Sequence, residues 1–423
     1  MKIFFRRIHL YLSLAAGVVI FIACLTGALL VFQKELELGF YKHRYFANSQ
    51  GSRLSIDSLV GMVKQTYPRA KVTAVKVYSN PERNVEVNLS LAGKQAPGGM
   101  VQQNTAAVQQ RDNQGSERAG AGRREGPAAE KPREGGRAPG VTAFVNPYSG
   151  QIQELYNSRE SFFFKVMSLH RWLLGSNDGI GKYIVGISTF IFLFILLTGI
   201  ILWWPKTRNI LRQRLRIKSD AGWKRINHDL HLVLGFYCAI FLFVFSFTAL
   251  PMSFQWFNKG IFTVTKSPMK NPEPPKSTFI ASARPVGFDA ALQSAAVVLP
   301  EVHFYTVTVP NDSLGAVSVS ALSKHAVHET APDAIYLDQY SGEVIGTQFY
   351  KDRTLGARVR STFRPVHVSS IWGLPSKIIG LIVCLLGATF PVTGVIMWLN
   401  RTRKKKTSRR TPAASVTESE LVD

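Results

Sequence analysis

The chain has 423 residues, 46% of them hydrophobic, with 51 Lys and Arg against 27 Asp and Glu and a net charge of +24. The apolar residues are not spread as in a soluble globule. They collect in charge-free blocks at 10–32, 183–204, 232–254 and 378–399, each about as long as a helix needs to cross ~30 Å of hydrocarbon. The basic excess sits in short segments: Lys2, Arg6 and Arg7, then eight basic residues against one acid in 205–225, then the tail after Leu399. That distribution argues against a nucleic-acid-binding surface and matches the positive-inside rule.

The first block follows Lys2, Arg6 and Arg7 and is too long for a signal h-region. Gln33-Lys34-Glu35 follows it with no small-residue cleavage pattern, so it reads as a retained span. The predicted order is a cytoplasmic N-terminus and first span (1–32), an outer α+β segment (33–160), and an interfacial helix with the second span (161–204). A basic cytoplasmic loop (205–225), the third span (226–257) and a second outer α+β segment (258–365) follow. An interfacial helix with the fourth span (366–399) and a basic cytoplasmic tail (400–423) complete the chain. The fold class expected is a four-helix membrane bundle with two α+β outer domains.

Within 33–160, SIDSLVGMVKQTYPRAK has helical periodicity with Ser55 as N-cap. VTAVKVYS and NVEVNLSLA alternate as strands. Residues 95–140 have hardly any large apolar side chain and are predicted to be a disordered insertion. The second outer segment repeats the plan: VGFDAALQSAAVVLP as helix, FYTVTVP and GAVSVSAL as strands. NPYSGQI at 146–152 and DQYSGEV at 338–344 are near copies, each a polar turn between strands. The pattern reads as an internal duplication.

The spans align under that duplication. Seventeen residues separate His9 from Thr26, and seventeen separate His231 from Thr248. Thr26-Gly27, Thr198-Gly199, Thr248-Ala249 and Thr393-Gly394 each lie late in a span, and are read as sites of close helix packing or room for a flat macrocycle. His9 and His231 open the first and third spans from the cytoplasmic side. His170 and His367 precede the second and fourth at the outer face, in HRWLLG and HVSSIWG. Ionisable groups at membrane depth are expensive and commonly functional. Two imidazoles from adjacent helices can fill both axial positions of a haem iron, so two haem b groups are expected, one per face. Zinc would want four ligands, and quinone-binding histidines need not come in matched pairs.

Three roles are open to His228, three residues before His231: helix cap, alternative ligand, or propionate contact. Arg171, Trp172, Arg364 and Trp372 are candidates for contacts to haem propionates or an anionic substrate, or for the interfacial belt. The phenylalanines at 241, 243, 245 and 247 are read as lipid-facing, and His303, His325 and His328 as surface residues. Cys24, Cys238 and Cys384 all lie within spans, and no C-x-x-C-H occurs, which excludes covalent c-type haem.

With HLYLSLAAGVVIFIACLTG, HRWLLG, NHDLHLVLGF and TGVIMWL in these positions, the chain resembles the PepSY-associated membrane proteins. These are bacterial iron-regulated or iron-uptake inner-membrane proteins. The outer segments with their NPYSG and DQYSG turns resemble PepSY domains. The resemblance implies a di-haem b inner-membrane reductase of ferric siderophores, with haem ligands His9 and His231 on one side and His170 and His367 on the other. No G-x-G-x-x-G follows a strand in the short cytoplasmic segments, so the electron donor is expected to be a quinol or a separate reductase. The alternatives are a haem-free PepSY regulator or protease inhibitor, and an accessory of siderophore transport.

Overall fold

The computed structural model describes residues 1–48, 51–91, 140–270 and 272–408, without the side chains of residues 91 and 403–408. The expected insertion at 95–140 lies outside the described residues except for Gly140, which opens a strand. Most of the basic tail lies outside them as well.

Four helices are long and apolar enough to cross a membrane: Lys2–Val31, Ile180–Trp203, Trp223–Ser253 and Leu374–Thr402, here the first to fourth spans. They form a ring in which the first packs on the second and fourth, and the third closes against the same two. Ala16, Ile20, Phe192, Ile195, Leu242, Val383 and Ala388 meet in the middle, drawn from all four spans. No more than 39% of any span's apolar window is buried. The remaining surface needs a hydrocarbon solvent, because water would penalise it by ~25 cal/mol per Å². The protein is a membrane protein. Phe241 and Phe247 face outward as expected, whereas Phe245 packs into the bundle centre.

The two remaining long segments meet in one antiparallel sheet. Its strands are β1 (Ala70–Tyr78), β2 (Val85–Leu91), β3 (Gly140–Val145), β4 (Ile152–Asn157), β5 (Val302–Thr308), β6 (Val317–Ser323), β7 (Asp333–Leu337) and β8 (Val344–Gln348). The order is β4-β3-β2-β1-β5-β6-β7-β8. The segments are thus joined edge to edge through β1 and β5, with Ala74 opposite Thr308 and Tyr78 opposite Phe304. Each segment covers one face of its four strands with a helix, Ile56–Thr66 in the first and Phe288–Val298 in the second. Leu59, Val63, Val75 and Val87 fill the first core, and Ala295, Val319, Ile335 and Leu337 the second.

The two covering helices cap each other. Asp57 accepts from the backbone N–H of Phe288 (2.8 Å) and Asp289 (3.1 Å), and Asp289 accepts from those of Ile56 (2.9 Å) and Asp57 (2.9 Å). A carboxylate suits the unpaired N–H groups and positive dipole end of a helix N-terminus. Ser55 adds the N-cap expected from the sequence, accepting from Ser58 N–H at 3.2 Å. The near-copy turns share one geometry as well. Asn146 accepts from Tyr148 and Ser149, Asp338 from Tyr340 and Ser341, and Gly150 and Gly342 supply φ of 71° and 73°. Such left-handed backbone favours glycine.

Candidate functional site: four histidines anchored by four threonines

Two short helices link the sheet to the bundle. Phe162–Trp172 starts at the Ser161 cap and packs on the first span. Leu355–His367 starts at the Thr354 cap and packs on the third; it begins well before the boundary read at 366. His170 and His367 lie near the ends of these helices, so both reach the sheet-side end of the bundle. Their rings stand 6.2 Å apart between centroids. His9 and His231 lie in the third turns of the first and third spans, at the far end. Seventeen residues at ~1.5 Å each separate the two ends by about 25 Å along a span.

Each of the four imidazoles turns Nδ1 to the threonine of a Thr-Gly or Thr-Ala pair on another helix, or to the carbonyl beside it. His170 Nδ1 is 2.9 Å from Thr26 Oγ1 on the first span. His9 Nδ1 is 3.0 Å from Thr198 Oγ1 and 3.1 Å from the Ile195 carbonyl on the second. His367 Nδ1 is 2.9 Å from the Phe245 carbonyl and 3.5 Å from Thr248 Oγ1 on the third. His231 Nδ1 is 2.8 Å from Thr393 Oγ1 on the fourth. The glycines that follow make room for the rings. A Cβ added at Gly27, Gly199 or Gly394 would stand 3.4, 3.4 or 3.5 Å from the Cε1 of His170, His9 or His231.

These bonds determine where each ring keeps its proton. Each threonine hydroxyl has a single hydrogen and gives it to the carbonyl one turn back: Ile22 at 2.6 Å, Phe194 at 2.8 Å, Val244 at 2.7 Å and Thr389 at 3.0 Å. Toward the histidine the hydroxyl can only accept, so Nδ1 carries the hydrogen and donates. Nε2, on the other ring edge, keeps its lone pair. An imidazole whose Nδ1–H is held by a hydrogen bond is the usual arrangement of a metal-ligating histidine.

Among the described residues, no three His, Cys, Asp or Glu side chains cluster as a metal site. A bare ion would therefore find too few donors. A metal whose other positions are filled by a macrocycle needs only two axial nitrogens, and the residues here fit that requirement. A centroid spacing of 6.2 Å leaves room for one metal between nitrogens each about 2.0 Å from it. A cavity of about 930 Å³ surrounds His170 and His367. Arg171, Trp172 and Arg364 line it, as do Lys182, Arg360 and Lys377, which sequence reasoning missed. Trp172 Nε1 is buried there with no partner. Trp372 stands outside, 79% exposed.

At the far end, His231 rather than His228 reaches a threonine. His228 is half-exposed and turns Nδ1 toward Asp229 Oδ1 at 3.2 Å. Asp229, buried to 2% exposure, also accepts from Arg225 Nε at 2.9 Å. His231 lies in a π-helical stretch, Leu230–Leu234, inside the third span. Such single-turn widenings occur often at functional sites, and nothing in hydropathy announces one. Of the other histidines, His325 is exposed and contacts Glu301. His328 is buried instead, held by Tyr350 (3.0 Å) and Thr330 (3.0 Å). The threonine anchors had one sequence signal: four late Thr-Gly or Thr-Ala pairs matching four histidines in number and register.

No curated protein matches the chain. The family model described as the PepSY-associated TM region matches residues 6–401. That is nearly the whole chain, and the protein belongs to this family.

Proposed function

We propose that the protein is a di-haem b oxidoreductase of the bacterial inner membrane that delivers electrons to a periplasmic ferric complex of the siderophore class. In this reading both termini are cytoplasmic, the sheet is a pair of PepSY-like domains in the periplasm, and the chain arose by internal duplication. The mirrored strand order and the matched His–Thr anchors of the two halves support the duplication. The observation that carries the function is that Nδ1 of every candidate ligand meets a threonine hydroxyl or a backbone carbonyl, the contact that a ligating histidine makes through its other nitrogen.

His170 and His367 would hold one haem and His9 and His231 the other; each haem, when bound, supplies an iron that takes up and releases one electron. The remaining roles belong to the chain. Thr26, Thr198, Thr248 and Thr393, with the carbonyls beside them, orient the imidazoles and keep Nδ1 protonated. The apolar ring centre, with Ile20, Phe192, Leu242 and Val383, puts hydrocarbon rather than polar groups between the two ends. Arg171, Arg364 and their neighbours place positive charge where propionates or an anionic chelate would lie. Reduction suits iron release because oxygen chelators hold Fe(II) far less tightly than Fe(III). The donor is a quinol or a separate cytoplasmic reductase.

The test is optical. Protein purified from cells with ample haem should show a dithionite-reduced b-type spectrum with two haems per chain. His170→Leu or His367→Leu should each leave one. Colourless protein under those conditions overturns the proposal.

A further inference from the structure

The connection between the second and third spans is folded back on the bundle. After a Thr207 cap, Arg208–Arg214 forms a short helix. Arg214 donates through Nη1 to the carbonyls of Leu202 (3.1 Å) and Trp203 at the end of the second span. The Tyr237 hydroxyl, from within the third span, donates to the Leu215 carbonyl at 3.4 Å. Asp229 accepts from the Lys218 N–H at 3.3 Å, and Lys2 Nζ reaches the Trp204 carbonyl at 3.4 Å. The positive-inside rule asks only for charge in this loop. The fourth span shows how little structure that takes, since it carries its basic residues straight on in one helix from Leu374 to Ser408. The fold-back therefore has another cause.

What it achieves is to gather cations without answering them. Ile210, Leu211 and Leu215 are half-buried, while Lys206, Arg208, Arg212, Arg216, Lys218 and Lys224 stay exposed. Among the described residues none of these six pairs with a carboxylate, and Asp229 is already held by Arg225 at 2.8 Å. Arg208 and Arg212 stand one turn apart on the helix, where like charges oppose it, and Arg216 follows two residues past its end. Trp204 and Trp223 are exposed at the two ends of the loop. Exposed tryptophans at the ends of spans mark the level where hydrocarbon meets headgroups. Unpaired cations fixed at that level complement the phosphates of acidic lipid. A soluble acidic partner would have no use for the tryptophans.

We propose that the folded-back loop is a binding site for an anionic phospholipid, whose phosphate is seated on Arg208, Arg212 and Arg216. The assignment stands apart from the reductase reading and needs no haem. Its test titrates the full chain in dodecyl maltoside with dioleoyl phosphatidylglycerol or with zwitterionic dioleoyl phosphatidylcholine. Bound lipid is counted by native mass spectrometry.

Phosphatidylglycerol should bind at least about tenfold more tightly than phosphatidylcholine. Raising ammonium acetate from about 0.1 to about 1 M shortens the reach of exposed charge from ~10 to ~3 Å and should erase most of that preference. Arg208→Gln, Arg212→Gln and Arg216→Gln combined should abolish it, whereas lysine at all three positions should keep it. Lys64→Gln, Arg69→Gln and Lys71→Gln combined remove the same charge from exposed positions of the first outer segment and should leave it unchanged. Equal binding of the two lipids overturns the site and leaves its charges to an acidic soluble partner. A preference that survives the glutamine triple in the loop, or that falls as far in the outer triple, overturns it as well.

Discussion

His170 and His367 occupy equivalent places in the two halves of the bundle, yet they are anchored differently. His170 donates to the Thr26 hydroxyl at 2.9 Å. His367 leans on the Phe245 carbonyl at 2.9 Å, with the Thr248 hydroxyl at 3.5 Å. The sequence difference beside these anchors is Ala249 in place of a glycine, and its methyl takes space that Gly27 leaves open. Both acceptors lie within one helical turn, so a ring can exchange one for the other and still satisfy its Nδ1–H. The far end shows a similar contrast. His9 shares its hydrogen between Thr198 and Ile195, whereas His231 has Thr393 at 2.8 Å. What the halves hold in common is the protonated nitrogen, whichever acceptor meets it.

The sharpest way to break this comparison is to remove the hydroxyls one at a time. Thr393→Val and Thr26→Val should each lower haem affinity at their own end by about 10- to 100-fold, the usual cost of losing a ligand's hydrogen-bond partner. Thr198→Val and Thr248→Val should cost less, because the Ile195 and Phe245 carbonyls stand within ordinary hydrogen-bond distance of the ring nitrogen, at 3.1 and 2.9 Å. Haem retention in dialysis against apomyoglobin measures the order, and equal losses at all four positions would refute it.

The sheet invites the opposite expectation, since there the halves cap each other reciprocally. Asp57→Ala and Asp289→Ala should each destabilise the joint by about 1 kcal/mol, the typical worth of a helix cap. Thermal melts monitored by limited proteolysis of the sheet should give two similar shifts.

A smaller effect separates the copied turns, where Asn146 and Asp338 play the same part. Hydrogen bonds from the backbone of Ser341, Tyr340 and Thr278 hold the Asp338 carboxyl below the usual carboxylate range. Its contribution is complete above the ordinary aspartate pKa of ~3.9 and is lost as pH falls through the lower folded value. Asp338→Asn should remove that acid-side loss and leave the second turn as pH-insensitive as the first. Acid titration of sheet stability in the two proteins checks it. The smallest change is expected from Ala249→Gly, which should let His367 settle on Thr248 with little change in haem affinity and a slight shift in the spectrum of that site alone.

Much of this architecture was legible along the chain. The spans follow from apolar length, the strands from alternation, the Ser55 cap from its place before a helical period, and the copied turns from their polar residues and glycine. The candidate histidines were picked out along the chain as well, His9 and His231 by register and His170 and His367 by their place before an apolar core. Their anchors were not, because Thr-Gly pairs in membrane helices commonly serve close packing and no local pattern says which ring lies opposite. His328 escaped for a related reason: its burial depends on Tyr350 and Ser361, which come later in the chain and are brought to it by the fold.

By itself, the sequence determined the properties that neighbouring residues settle between them: where the chain is greasy enough to enter lipid, where it alternates, and where it turns. The tertiary structure alone decided that β1 joins β5, that Asp57 caps a helix beginning 231 residues later at Phe288, and that each imidazole donates through Nδ1. Those outcomes depend on the rotation and crossing of helices packed as a ring, and on two sheets' worth of strands meeting at one edge. Such contacts join residues far apart in the chain, and no periodicity within a segment encodes them.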